Sequence, residues 1–170
     1  MAKKANNKQI FFLVAVVLGI AAILMNLLPF VKYHFGGDTN YLEANFSGFN
    51  CMFGAEGIKA SLVTELGSVS GEAVKTELVV TVLIGGIVMV VGLLAALLVK
   101  LVDKKKAFLM KVVSAAAFIA GAVLVLALTK ASFVSANDIG ETVAKDYSLG
   151  IGAILSGVFS ALAGVGIFLA

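Results

Sequence analysis

Four long apolar segments, separated by more polar ones, dominate the pattern of hydrophobic and polar residues along the chain. Each has close to the roughly 20 residues that a helix needs to cross the ~30 Å hydrocarbon core of a bilayer. The pattern predicts an all-α membrane fold, a bundle of four transmembrane helices that forms a single domain over residues 1–170. The predicted spans are residues 10–28, 78–99, 107–129 and 148–169.

Composition supports this prediction. Hydrophobic residues make up 61% of the chain, charged residues make up 14%, and the mean hydropathy is +1.07. Soluble domains carry about 25% charged residues. Three lysines precede the first apolar segment, as in a secretory signal, but that segment is longer than a usual signal core, so we expect it to be retained as a span.

The lysines indicate an orientation, because cytoplasmic segments of membrane proteins are enriched in basic residues. The chain has no arginine, and eight of its thirteen lysines lie before the first span or between Lys100 and Lys111. Both termini and the turn at residues 100–106 are therefore predicted to be cytoplasmic, in a multi-pass protein of the plasma membrane. Lys104, Lys105 and Lys106 are expected to anchor the turn at lipid headgroups, with docking of a cytoplasmic partner as the alternative.

The outer segments would then be residues 31–77 and 130–147. The first of them begins with a cluster of aromatic residues, which a disordered connector would lack. Phe49, Cys51 and Phe53 alternate with Asn50 and Met52, a period of two that is typical of a strand. In residues 58–66, every second residue alternates with a more polar neighbour, although a helix fits this stretch as well. We expect a small extracellular antiparallel sheet from the first outer segment, with an edge element from the second.

This order of elements resembles the claudin-like tetraspan family. The exit from the first span, "LLPFVKYHF", is similar to the proline-aromatic-basic exit of claudins, and "FSGFNCMFG" lies where that family carries its tryptophan, glycine-leucine-tryptophan and cysteine signature. The resemblance implies four helices, internal termini and a sheet in the long first outer loop. The chain has no tryptophan and a single cysteine, so the family's loop disulfide cannot form.

Small residues recur at helical spacing in the spans. In membranes, helices associate through close backbone packing at such residues. These small residues are expected either to pack the helices within one bundle or to form contacts between protomers. The predicted packing or oligomer positions are Gly152, Ser156, Ser160 and Gly164 in the fourth span, and Ala117 and Gly121 in the third.

Candidate chemistry is sparse. The interiors of the spans carry no charge beyond Lys111 near the start of the third, and we expect their own helix backbones to satisfy the serines among them. His34, with Asp38 and Glu43 nearby, lacks the repeated ligand spacing of a metal site. We predict no catalytic, cofactor or metal site. Cys51 is buried, bridged to another chain or free, and we expect outer contacts to be made by Phe46, Phe49, Cys51 and Phe53.

These observations favour a non-enzymatic structural protein or scaffold that associates with copies of itself through small-residue helix faces and the aromatic outer element. The alternatives are an oligomeric pore or channel subunit and an accessory subunit of a membrane complex. The expected partners are membrane lipids, a second copy and another membrane protein. Nucleic acid is not expected, because the net charge of +3 follows from the predicted topology.

Overall fold

The computed structural model describes residues 2–36, 41–64, 67–76, 78–130, 134–137, 140–143 and 146–170. The fold is mostly helical. Four of its helices are long and apolar enough to cross a membrane. The α-helices of the described residues are α1 (Ala2–Leu24), α2 (Gly48–Phe53), α3 (Val80–Leu98), α4 (Lys104–Leu126) and α5 (Ile151–Leu169), with short 3-10 turns at Met25–Leu27 and Ala127–Lys130.

Seven strands in the described residues form one antiparallel sheet with the order β6-β5-β4-β3-β2-β1-β7. The chain that joins α1 to α3 contributes four strands, and the chain that joins α4 to α5 contributes three. The strands are β1 (Pro29–Gly36), β2 (Tyr41–Ser47), β3 (Ala55–Thr64), β4 (Gly67–Thr76), β5 (Val134–Asn137), β6 (Gly140–Val143) and β7 (Asp146–Leu149).

The second segment extends the sheet at both edges. β7 pairs with β1 on one side, and β5 pairs with β4 on the other. The predicted edge element is therefore present, and it is joined by a second one at the opposite edge. Residues 58–64 lie in β3, so the strand interpretation of that stretch is confirmed and the helix alternative is wrong.

The sheet must also be curled. β6 and β7 stand at opposite ends of the strand order, yet only two residues separate Val143 from Asp146. Three Cα–Cα steps span at most about 11 Å, whereas six strand spacings in a flat sheet would separate the two edges by about 29 Å. The connection therefore excludes a flat sheet, because Val143 of β6 and Asp146 of β7 lie within about 11 Å of each other.

The chain divides into two compact units. The first contains Met1–Met25, Ile84–Leu126 and Leu155–Ala170, and the second contains Asn26–Leu83 and Ala127–Ile154. The first unit is a helix bundle. The second contains the sheet, α2 and the adjoining ends of the spans.

Three fully buried serines join the helices of the bundle. Each hydroxyl donates to a backbone carbonyl of a neighbouring helix, so the prediction that each serine is satisfied by its own helix is wrong. Such bonds contribute on average about 0.6 kcal/mol in membrane proteins. The pairs are Ser114 on α4 with Gly92 on α3 at 2.7 Å, Ser156 on α5 with Ala22 on α1 at 2.8 Å, and Ser160 on α5 with Phe118 on α4 at 2.7 Å.

Glycines allow close approach between the same helices. A Cβ atom at Gly164 of α5 would lie 2.9 Å from the carbonyl oxygen of Ala115 on α4. A Cβ atom at Gly121 of α4 would lie 2.6 Å from the Cγ atom of Met89 on α3. The bundle is therefore packed at the distance of backbone contact, which only the smallest residues permit.

We expect Gly164→Val to lower the free energy of unfolding by about 1–3 kcal/mol, because the added side chain overlaps the backbone of α4. The control is Val165→Ile, which adds one methylene group at an exposed neighbouring position and should change that free energy by less than about 0.5 kcal/mol. The measurement is unfolding in detergent micelles titrated with SDS. Equal loss of stability in both variants would contradict the packing of α5 on α4.

Candidate interaction sites

The structure buries most of the small residues that were predicted to mediate helix contacts. The predicted α5 positions face the interior of the fold, and Ser156, Ser160 and Gly164 contact neighbouring helices of the bundle. Intramolecular packing therefore occupies these faces. The buried positions are Gly152, Ser156, Ser160 and Gly164 on α5 and Gly121 on α4, while Ala117 on α4 is half-buried.

A different pair of small residues remains exposed. Ala116 and Ala120 lie four residues apart on α4, next to the predicted Ala117 and Gly121. In the described apolar parts of the four spans, every other exposed position carries Val, Leu, Ile or Phe. Sequence reasoning missed this pair, because a shift of one residue turns a helix face by about 100° and the spacing alone does not say which face is covered.

The segment around the single cysteine is a short helix, so the predicted strand through residues 49–53 is wrong. Ser47 caps the start of α2, since its Oγ accepts a hydrogen bond from the backbone N–H of Asn50 at 3.2 Å. Gly54 ends the helix with φ 74°, a conformation that favours glycine. The sequence signals for this helix were Ser47 as the N-terminal cap and Gly54 directly after its last residue.

Helix α2 separates the four predicted contact residues into two pairs. Phe46 and Cys51 are buried in the second unit, with 2% and 0% of their surfaces exposed. Phe49 and Phe53 are exposed, and their rings stack with centroids 6.4 Å apart. Of the four predicted contact residues, Phe49 and Phe53 are therefore the two that another molecule can reach.

Burial also decides the chemistry of the thiol. Desolvation raises the pKa of Cys51 from its ordinary 9.0 to about 12. The thiolate is the nucleophilic form of cysteine, so a pKa this far above neutrality makes the group inert. Cys51 behaves as a small core residue.

Two contacts hold α2 against the ends of spans. Gly48 packs on Asn26, where a Cβ atom at Gly48 would lie 2.9 Å from the Cα atom of Asn26. The backbone N–H of Val79, directly before α3, donates to the carbonyl of Cys51 at 2.7 Å. Asn26 lies in the last turn of the first apolar span. These contacts fix α2 at the level where the first span ends and the next begins.

Lysines form a further candidate site in the first unit. Lys104, Lys105 and Lys106 are exposed at the start of α4, where headgroup anchoring was predicted. Three other lysines line a recess of about 260 Å³ together with Gln9, Phe12, Val99 and Ala170. We call this the basic recess, and its lysines are Lys8, Lys100 and Lys111. Sequence reasoning missed the convergence, although Lys111 was visible as a charge that interrupts an apolar run.

Other charged groups are less organised. Lys32 and Glu43 pair across β1 and β2 at 3.2 Å, partly exposed, in an interaction worth about 0–1 kcal/mol. Within the described residues, no three side chains of His, Cys, Asp or Glu gather as metal ligands would. The side chain of His34, and Asp38 as a whole, lie outside the described part of the chain.

Comparison with known proteins finds no protein family that matches this chain and no curated protein with a significantly similar sequence.

We expect Cys51 to resist a membrane-impermeant maleimide at pH 7 in the folded protein and to react once SDS unfolds it, since the thiol is buried and protonated. The control is a Cys51→Ala, Phe53→Cys variant, in which the thiol occupies an exposed position and should react without unfolding. The readout is the mass increase over time. Fast labelling of Cys51 in the folded protein would contradict its burial.

The raised pKa of Cys51 also has a consequence for stability. The protonated thiol favours the folded state fully below pH 9, and this contribution is lost as the pH rises from 9 toward 12, where the unfolded thiol ionises first. Across that window wild type should lose up to about 1.4 kcal/mol of unfolding free energy per pH unit relative to Cys51→Ala. SDS titrations of both proteins at pH 7 and pH 10 measure it, and parallel pH profiles would argue against a desolvated thiol.

Proposed function

We propose that this protein is a non-enzymatic tetraspan membrane protein that serves as a structural scaffold and associates with copies of itself. The bundle anchors an outer element that presents its surface outside the cell. The proposed orientation is multi-pass in the plasma membrane with both termini in the cytoplasm. The lysine distribution supports it, because the positive-inside bias assigns the lysine-rich ends to the cytoplasm.

The polar groups of the bundle support a mechanical role. Each of the three buried serine hydroxyls donates its hydrogen bond to a neighbouring helix. The serines are Ser114, Ser156 and Ser160. Their bonds and the glycine contacts hold the helices together, and the serine hydroxyls are thereby committed as donors. An anchor that packs against itself in this way carries an outer element without depending on a ligand.

The pair Ala116 and Ala120 carries the proposal of self-association. Lipid chains are as apolar as leucine, so helices in a bilayer gain little by covering large apolar side chains. Small residues four apart are different, since they allow a second helix to approach its backbone. On the spans, this pair is the exposed place among the described residues where such an approach is open, and Val113 and Val123 flank it.

The architecture adds support for a claudin-like arrangement. Four apolar helices and a sheet formed by the long segment between the first two spans are what that resemblance implies. The proposal extends to architecture alone, because the family's tryptophans and its disulfide are absent from this sequence. A scaffold role requires neither.

We expect the double variant Ala116→Leu, Ala120→Leu to weaken self-association by about tenfold or more, because two bulky side chains keep a second helix from the backbone of α4. The positions are exposed, so the bundle itself should still fold. Native mass spectrometry in mild detergent over a dilution series, with crosslinking in membranes, gives the stoichiometry.

The matched control is Val158→Leu, which adds bulk at an exposed position on α5 and should leave association unchanged. The proposal fails if wild type stays monomeric at every concentration and in the membrane. It also fails if the double variant Ala116→Leu, Ala120→Leu associates as strongly as wild type and the control do.

A further inference from the structure

The basic recess brings together three positive charges from separate parts of the chain. Lys8 comes from α1, Lys100 from the turn after α3, and Lys111 from α4. Among the residues that the structure describes, no carboxylate lies within 4.0 Å of these three ammonium groups, and the ion pair found there joins Lys32 to Glu43 instead. Like charges around one small space repel each other, so the arrangement is favourable when an anion lies between them.

Lys111 is the least expected of the three. It lies seven residues into α4, about 10 Å along the helix from Lys104, and it is half-buried. An ionisable residue at such a position in a span is costly, and it is usually paired or marks a functional site. An anion that pairs with Lys111 therefore has to lie farther along α4 than the exposed lysines at the start of this helix.

Besides the lysines, the lining of the recess consists of one polar residue, Gln9, and the apolar residues Phe12, Val99 and Ala170. Phe12 is 8% exposed, and the ammonium of Lys100 lies 5.5 Å from the centre of its ring. Val99 lies beside them. A recess with an apolar wall and basic groups around it matches a molecule that joins a phosphate to a hydrocarbon chain.

We infer that the basic recess binds the phosphate of an anionic phospholipid between α1, α3 and α4. Basic pockets between transmembrane helices on the cytoplasmic side bind anionic headgroups in this way. A free phosphate offers the same charge without the chain. The two sources are separated by comparing phosphatidylglycerol with inorganic phosphate.

The experiment uses the delipidated full chain in neutral detergent. Native mass spectrometry follows titration with phosphatidylglycerol, phosphatidylcholine or inorganic phosphate. We expect one phosphatidylglycerol to bind preferentially, and Lys100→Gln and Lys111→Gln each to weaken its binding about fivefold. The control, Lys105→Gln, removes an exposed lysine of α4 that does not line the recess and should have less than about a twofold effect.

Each result is decisive. Equal losses from Lys105→Gln and Lys111→Gln would overturn the site, since diffuse attraction would then explain binding. Tighter binding of inorganic phosphate than of phosphatidylglycerol would overturn the lipid assignment, and binding of neither would overturn both. SDS unfolding of every variant separates loss of the site from loss of the fold.

Helix α2 carries a second, independent inference. Its contacts with Asn26 and Val79 hold it beside the ends of two spans, where Leu27, Leu28 and Leu78 are also exposed. The sequence of α2, "GFNCMF", has no charge. The stacked rings of Phe49 and Phe53 therefore add two exposed aromatic side chains to the unit that also carries these exposed leucines. We propose that these two rings insert into the boundary between headgroups and acyl chains, which amphipathic interfacial helices enter to about 5–10 Å.

The chain has no tryptophan, so one introduced indole reports on its own position. We expect Phe49→Trp and Phe53→Trp, reconstituted at low protein density, to emit at short wavelength and to be quenched by phospholipids brominated on their acyl chains. The control is Asn45→Trp, at an exposed polar position of β2, which should be quenched by aqueous iodide instead. Iodide quenching of all three would overturn insertion. Shielding of Phe49→Trp and Phe53→Trp that appears only at high protein density would assign the rings to a second copy and overturn the lipid contact.

Discussion

Close contact between helix backbones is the constraint on which the bundle depends. Within a bilayer, burying a leucine against another helix gains little over leaving it in lipid, so helices are held by packing and hydrogen bonds at short range. Gly121 and Gly164 bring neighbouring helices to that range, and Ser156 and Ser160 then reach carbonyl groups across the gap. In the described apolar parts of the spans, the exposed surface is left to Val, Leu, Ile and Phe side chains, and the small residues Ala116 and Ala120 interrupt it on α4.

The segments that form the sheet obey a different rule, because strands need partners for their backbone groups. Both connecting segments supply strands, and the short link from β6 to β7 requires the sheet to curl. Between β2 and β3 the chain turns through α2, whose ends are set by Ser47 and Gly54. This helix buries Cys51 and leaves Phe49 and Phe53 outside, so one short segment provides both a core residue and an exposed apolar pair.

The proposed roles of the molecule follow from the groups on each surface that make no contact within the chain. Faces that pack within the chain are no longer available to partners, which moves the proposed self-association from the predicted small-residue strip of α5 to Ala116 and Ala120. The lysines separate in a similar way. Those at the start of α4 are solvated, while Lys8, Lys100 and Lys111 surround one recess without a counter-ion among the described residues.

The sequence by itself determined the number and length of the apolar helices and the existence of strands in the segments between them, because these depend on local hydrophobicity and period. It also contained the caps of α2, although alternation at Phe49, Cys51 and Phe53 hid a helix in which residues 49 and 53 share a face. Only the tertiary structure decided which side of α4 is covered and which helices accept the serine hydroxyls. It also decided which lysines meet. Those outcomes depend on how the helices are rotated and paired. Residues that are distant in the chain determine this together, and no local pattern specifies it.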